Sequence, residues 1–207
     1  MRKPAAVRKG KKLPAPVRIL LPAVLWLGLW WILSAAVDRE VLIPSPPAVL
    51  DRLIHLLATS EFYASVGMSV LRVTAGFAAG ILLGSALGLF CAQFRIADAA
   101  VSPVMSVIRS TPVASVIILA LVWIRKDFIP GLISALMVMP VLFGNVREGY
   151  FAADPSLLEM ADLFRLKRSK IWSKIRLPAM LPFFAAGVKT SIGLAWKAGV
   201  AAEVLSL

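Results

Sequence analysis

The sequence predicts an all-α protein whose helices form a polytopic membrane bundle, with about five spans visible. Composition is the first reason, because 59% of the 207 residues are apolar and only 16% are charged, against roughly 45–50% and 25% in a soluble domain. The mean hydropathy is +0.84. A water-soluble fold of this size cannot hide such a surplus from solvent, so the surplus faces lipid. These values exclude a soluble enzyme, a secreted disulfide scaffold and a disordered regulator.

The placement of charge is the second reason. The chain has 23 Lys and Arg against 11 Asp and Glu, a net charge of +12. The basic residues cluster at the ends of apolar runs, which is typical of membrane orientation rather than of nucleic-acid binding. The single cysteine, Cys91, cannot form an internal disulfide, and the single histidine, His55, cannot build a multi-histidine metal site. We expect no nucleic-acid partner, no metal, no bound cofactor and no catalytic residue.

The first span is predicted over residues 19–37. Residues 1–18 before it are strongly basic and contain no acid. At 1.5 Å per residue the apolar run covers roughly 28 Å, about one hydrocarbon core. A cleaved signal peptide is the alternative, because Ser34-Ala35-Ala36 resembles a cleavage site. The length of the run and its three tryptophans favour a retained helix, and those tryptophans are Trp26, Trp30 and Trp31.

A short amphipathic helix is predicted over residues 45–59. Ser45 is the expected N-cap and Pro46 the first helical residue. The helix is too short to span, so we expect it on the outer membrane surface or packed on the bundle. His55 falls on its polar face and is not expected to be a ligand.

The second span, over about residues 70–90, has glycines four residues apart. On a helix these form one bare stripe, and such a stripe lets neighbouring membrane helices approach closely. Glycine is also simply common in membrane helices. The stripe predicts tight helix packing at Gly76, Gly80, Gly84 and Gly88.

Three further spans are predicted over about residues 104–124, 129–146 and 183–204. Pro112 lies in the first turns of the third span and favours a kink or break there. A polar loop at 147–181 precedes the fifth span, and Asp154-Pro155 marks a helix start within it.

The charge distribution predicts the topology. Most of the Lys and Arg residues lie in residues 1–18 and 147–181, while the two opposite loops contain few. The positive-inside rule therefore places the N-terminus and the 147–181 loop in the cytoplasm. Five spans leave Leu207 outside without a polar tail, so we expect the chain to be truncated.

The 147–181 loop carries the most specific motif. It reads Glu159-Met160-Ala161, then Arg165, then Ile175-Arg176-Leu177-Pro178. This resembles the EAA loop of the membrane subunits of binding-protein-dependent ABC importers, which has Glu-Ala-Ala, three residues, Gly, nine residues and Ile-x-Leu-Pro. Two positions differ, because Met160 replaces an alanine and Arg165 replaces the glycine that would ease the turn between two helices.

The resemblance extends over nearly the whole chain. Leu42-Ile43-Pro44-Ser45-Pro46, the Arg109–Pro112 segment and Gly193-Leu194-Ala195-Trp196 are similar to the branch of this family that handles nitrate, sulfonates and taurine. This resemblance implies a helix bundle like the transmembrane domain of type I ABC importers. Residues 65–207 would form the permease core, and a sixth span would be missing. The resemblance also implies a bacterial inner-membrane location and no catalysis by this chain itself.

The resemblance further implies partners and roles. The chain would work as a homodimer with an ABC ATPase subunit, which binds ATP and Mg²⁺, and with an external solute-binding protein. Leu157, Leu158 and Ala161 would form an apolar edge that docks on the ATPase. Coupling to the ATPase would involve Glu159, Ala161, Arg165, Ile175, Leu177 and Pro178. The basic residues from Arg165 to Arg176 are better explained by anchorage to anionic lipid headgroups.

Two lysines lie inside the predicted fifth span. Charge at membrane depth is costly and usually faces a cavity or a partner. Lys197 could line a pathway and favour an anionic solute, or it could form a structural pair or snorkel to the interface. The same interpretations apply, less strongly, to Lys189 and Arg109.

Two other functions remain possible at this point. A membrane scaffold or sensor that recruits a cytosolic protein would explain the basic loop, but neither the spacing from Glu159 to Pro178 nor the lysines in a span. A secondary transporter predicts internal repeats, and the sequence contains none.

Overall fold

The computed structural model describes residues 15–37 and 39–206, with side chains from residue 20 onward. The predicted basic segment 1–18 and the end at Leu207 therefore lie largely outside the described residues. The described residues are mostly helical, with short turns between the helices, and contain no strand. They form two compact units, which are divided between Tyr63 and Ala64. The α-helices are α1 (Ala15–Val37), α2 (Pro46–Leu57), α3 (Ser60–Gln93), α4 (Arg95–Ser110), α5 (Val113–Trp123), α6 (Ile129–Phe151), α7 (Pro155–Leu163), α8 (Arg168–Ile171) and α9 (Leu177–Leu205), with a 3₁₀ turn at Lys126–Phe128 and a π-helical segment at Trp172–Arg176.

In the first unit, α1 is the predicted first span and α2 the predicted amphipathic helix. Trp30 Nε1 donates to the Pro44 carbonyl at 3.1 Å, and Ser34 Oγ donates to the Ile43 carbonyl at 2.9 Å. These bonds hold the connecting segment against α1. The predicted N-cap is confirmed, because Ser45 Oγ accepts a hydrogen bond from the Ala48 N–H at 3.4 Å.

The core of the second unit is built on α6, which packs most extensively against α9. Ile133, Val138 and Leu142 of α6 are completely buried. Small residues allow the two helices to approach each other. The buried Ser134 hydroxyl donates a hydrogen bond to the Ala195 carbonyl of α9 at 2.9 Å. That bond satisfies a polar group that would be costly to leave unpaired inside a membrane protein.

The glycine stripe of α3 packs directly on α6. All four glycines are buried. A Cβ added at Gly80 would lie 2.7 Å from Val138 Cβ, and one added at Gly88 would lie 2.6 Å from the Phe143 carbonyl oxygen. Residue numbers rise together along both helices, so α3 and α6 run parallel. The stripe therefore forms a seam in which the two backbones touch.

The predicted third span is not one helix. It divides into α4 and α5, which are bent by 102°. Pro112 has no N–H to continue α4, and the residue before a proline is pushed to extended backbone, as Thr111 shows with φ −76° and ψ 132°. The predicted break at Pro112 is confirmed, and the pair of helices is either one broken span or a re-entrant loop. In the described chain, four helices are long and apolar enough to cross a membrane, or five if the bent pair counts as one span.

The fifth span also begins earlier than predicted. It starts at Leu177 rather than near residue 183, and Pro182 lies inside α9. The π-helical segment continues into α9 without a break, and Pro178, which has no N–H to donate, directly follows the wider turn. The 147–181 loop is consequently shorter than the sequence suggests, and its last residues belong to the membrane helix.

Candidate functional site

The first candidate surface is the loop that connects α6 to α9. Its first helix, α7, begins where the sequence predicts, since Asp154 Oδ1 accepts from the Ser156 N–H at 2.9 Å and from the Ser156 hydroxyl at 2.8 Å. These two bonds, the hydroxyl first, lower the pKa of the Asp154 carboxyl. The Asp154 carboxylate, which caps the start of α7, is therefore charged near neutral pH.

The turn after α7 forms despite the arginine at its centre. Arg165 has φ 49° and is the one non-glycine residue of the described chain with a positive φ. The Leu166 N–H donates to the Ala161 carbonyl at 2.9 Å, and the Arg165 N–H donates to the Asp162 carbonyl at 2.9 Å. This is a Schellman motif with arginine at the position that favours glycine. Arginine tolerates that backbone conformation at a cost of about 1–2 kcal/mol.

The faces of α7 differ from the predicted ones. Glu159 is exposed, as a partner contact requires. Ala161 is completely buried and Leu158 half-buried, so neither belongs to the exposed apolar edge. Positions three apart on α7 place Leu158 and Ala161 on the inner face together, so the coupling role of Ala161 stays a prediction. The exposed apolar edge consists of Leu157, Met160, Leu163 and Phe164.

The second half of the motif lies on the π-helical segment and the start of α9. Ile175 is half-buried, and Leu177 and Pro178 are exposed. Arg176, for which the sequence predicted only headgroup anchorage, donates from Nη1 to the Tyr150 carbonyl at 3.2 Å. Its guanidinium carbon lies 4.0 Å from the centre of the Tyr150 ring. Arg176 therefore fastens this half of the motif to the end of α6.

An ion pair next to the loop joins α4 to α6. Arg147 Nη2 donates to Asp98 Oδ2 at 2.7 Å, and the Ser102 hydroxyl donates to Asp98 Oδ1 at 2.7 Å. The Nε atom of Arg147 is buried without a hydrogen-bond partner. Asp98 and Arg147 are 49 residues apart, so no motif or periodicity in the sequence predicts that they pair.

The second candidate surface is a strip on the outside of α9. Lys189, Gly193 and Lys197 are all exposed, and a Cβ added at Gly193 would meet nothing within 4 Å. Arg109 is also exposed, in the last turn of α4 before the bend. Within the described residues, none of these three cations has a hydrogen-bond or ion-pair partner. The structure places both lysines on one strip and Arg109 on another element.

Glu203 does not pair with Lys197. Instead, Arg72 of α3 bridges Glu203 at 3.4 Å and Asp127 at 2.7 Å. One guanidinium thus joins α3, the turn before α6 and the end of α9. This cluster, which we call the Arg72 clamp, was missed because its members are far apart in sequence.

Comparison with known proteins agrees with this architecture. Residues 80–206 match the family described as the binding-protein-dependent transport system inner membrane component. A probable ABC transporter permease protein of Brucella melitensis is 30% identical over 90% of this chain and 76% of its own length.

Two further relatives have names that state a solute. A Bacillus subtilis permease protein named for aliphatic sulfonates transport is 27% identical over 90% of this chain and 68% of its own length. A nitrate import permease protein of Synechocystis is 26% identical over 93% and 73%. The family match runs from the middle of α3 to the end of α9 and includes both candidate surfaces. The chain belongs to the binding-protein-dependent ABC transporter permeases, as a non-catalytic inner-membrane component of the transport system.

Proposed function

We propose that this chain lines the translocation pathway of an ABC importer for a small anionic solute, with the α9 strip as part of the pathway wall. The observation that carries the proposal is the exposed strip with two partnerless lysines on a membrane helix. A charged side chain at membrane depth is stable only next to water, a partner or a headgroup. The two relatives with a named solute support an anion, since nitrate and sulfonates both carry negative charge.

The strip requires a second wall. It lies on the outside of the described bundle, so it can enclose a pathway only when another membrane subunit faces it. We propose a second copy of this chain, because symmetric dimers are the commonest assemblies. The bend at Thr111-Pro112 supports this arrangement, because non-helical backbone at membrane depth has to be covered by protein or line a cavity.

The α7 surface would receive the ATPase subunit. Its apolar edge stands beside exposed Glu159, a combination suited to a groove with a polar rim. The Schellman turn and the Arg176–Tyr150 contact link this helix to α6 and α9, so movement of α7 would reach both helices. ATP and Mg²⁺ would bind to that partner, and an external binding protein would deliver the solute.

The orientation follows from charge. We propose that the N-terminus and the loop with α7 are cytoplasmic, because both are rich in lysine and arginine. The Arg72 clamp would then lie at the external end of the bundle.

The first experiment tests the ATPase contact. The tagged chain is purified from native membranes in mild detergent, and co-purifying proteins are identified by mass spectrometry. A P-loop ATPase in equal amount is expected, together with its loss in Glu159→Lys. Asp162→Lys is the matched control, since Asp162 is an exposed acid on the same helix. Absence of any ATPase, under conditions that keep other complexes intact, contradicts the importer mechanism.

The second experiment tests the pathway. The complex is reconstituted in vesicles, and ATP-dependent uptake is measured for a panel of small anions and neutral solutes. Lys197→Glu is expected to lower uptake of the transported anion about tenfold or more, because it reverses the local field. Lys197→Arg, which keeps the charge, should retain most of the uptake. If Lys197→Glu transports the anion normally while the ATPase still co-purifies, the strip is not the pathway wall.

A further inference from the structure

A polar cavity lies where the ends of α3 and α6 meet the segment before α9. Its volume is about 270 Å³, and its lining comes from Gln93 of α3, Tyr150 of α6, and four residues of α8 and the π-helical segment: Arg168, Ile171, Trp172 and Arg176. We call it the Arg168–Arg176 cavity. It lies at the basic end of the bundle, away from the α9 strip.

The Arg176 side of the cavity is held in place before any ligand arrives. One of its five N–H donors bonds the Tyr150 carbonyl at 3.2 Å, and the guanidinium stacks on the Tyr150 ring. Trp172 packs edge-on against the same ring, with centroids 6.4 Å apart. The remaining donors of Arg176 are therefore oriented at little further entropic cost.

Trp172 and Arg176 are four residues apart, so they lie on the same face of the helix and both reach Tyr150. The segment that carries them is π-helical. Such segments are rare and often occur at functional sites.

The lining selects an anion. It contains two guanidinium groups and the amide of Gln93, and none of its residues is acidic. Arg168 is exposed and forms no hydrogen bond or ion pair with any described residue, so its donors are available. Paired guanidinium groups fit the oxygen atoms of a phosphate. The volume is below the range of about 300–1,000 Å³ that is common for small-molecule pockets, which suits one phosphodiester.

The apolar part of the lining favours a lipid as the source of that phosphate. Ile171 and the indole of Trp172 line the same cavity, and tryptophan and tyrosine are enriched at the level of lipid headgroups. Basic pockets between membrane helices on the cytoplasmic side bind acidic headgroups. We propose that the Arg168–Arg176 cavity binds the phosphodiester of an anionic phospholipid and thereby stabilises the π-helical segment against α6. This proposal rests on the cytoplasmic orientation proposed above, but it does not depend on the solute or on the ATPase.

The test measures lipid binding to the purified full-length chain by native mass spectrometry, with phosphatidylglycerol and phosphatidylcholine as probes. Arg168→Gln is expected to weaken phosphatidylglycerol binding about tenfold, the loss typical of one charge-assisted hydrogen bond. Lys174→Gln is the matched control, because Lys174 is an exposed cation of the same segment outside the cavity. It should change binding less than about twofold. Phosphatidylcholine should bind weakly to all three proteins.

Two results would overturn the assignment. Equal losses in Arg168→Gln and Lys174→Gln would mean that diffuse surface charge attracts the lipid, without a defined site. Displacement of phosphatidylglycerol by millimolar inorganic phosphate, with equal thermal stabilisation by phosphate alone, would mean that the cavity takes a soluble anion. Arg176→Lys is the variant that separates loss of binding from loss of folding, because it keeps the positive charge of the side chain. It should weaken lipid binding while the melting temperature in lipid-free detergent stays within a few degrees of that of the parent chain.

Discussion

Two membrane-helix faces, each with a glycine at its centre, are packed in opposite ways in this molecule. The stripe of α3 is sealed against α6, so closely that a Cβ at Gly84 would collide with the Met139 backbone. The strip of α9 has Gly193 at its centre with open space around it, between two exposed lysines. A glycine in a membrane helix therefore does not by itself predict close packing. The residues four positions away on the same face differ, because they are glycines around Gly84 and lysines around Gly193.

The largest expected effect comes from adding one methyl group to each face. Gly84→Ala should destabilise the core by about 3 kcal/mol or more, because the added carbon meets backbone atoms that cannot rotate away. Gly193→Ala should change stability by less than about 0.5 kcal/mol, or raise it slightly, since alanine favours helix. Thermal unfolding in detergent, followed by size-exclusion fluorescence, measures both. Equal melting temperatures for the two variants would contradict the distinction between sealed and open faces.

An intermediate effect is expected at the Arg72 clamp, which fastens one end of the sealed seam. Arg72→Gln leaves both Asp127 and Glu203 without their main partner, and we expect a loss of about 1–2 kcal/mol because these groups are only partly buried. Arg125→Gln is the matched control, since Arg125 approaches the same Asp127 at 3.8 Å from a side chain that is 81% exposed. Its effect should stay within about 0.5 kcal/mol.

The measurement for this pair is the unfolding midpoint at low and at high salt. The Arg72 effect should decrease only partly at high salt, because a half-buried pair is screened less than an exposed one. A loss that is equal for both variants and disappears in salt would show that the clamp is only a surface charge effect.

The sequence could predict features that depend on neighbouring residues. The start of α7 at Asp154-Pro155 and the break at Pro112 are local consequences of capping and of a missing N–H. The angle of 102° and the burial of Ala161 depend on what the helices pack against. The Arg72–Glu203 pair joins residues 131 apart, and no periodicity in one sequence connects them. Tertiary packing decided the features that the sequence could not predict.

Arg165 presents the opposite situation to Gly84. At Gly84 the packing excludes a side chain and the residue is glycine, whereas at Arg165 the backbone conformation favours glycine and the residue is arginine. Its φ of 49° is reached at a steric cost that glycine does not have. Arg165→Gly should therefore stabilise the turn after α7, and we expect a gain of about 1 kcal/mol, reduced somewhat by the larger entropy of glycine in the unfolded chain. Arg165→Ala removes the charge but keeps the Cβ, so it should show no comparable gain. Hydrogen exchange at the Leu166 amide, which donates to the Ala161 carbonyl, reports this turn directly and should slow in Arg165→Gly alone. If exchange slows equally in both variants, the removal of positive charge explains the gain, and the left-handed backbone at this position carries little strain.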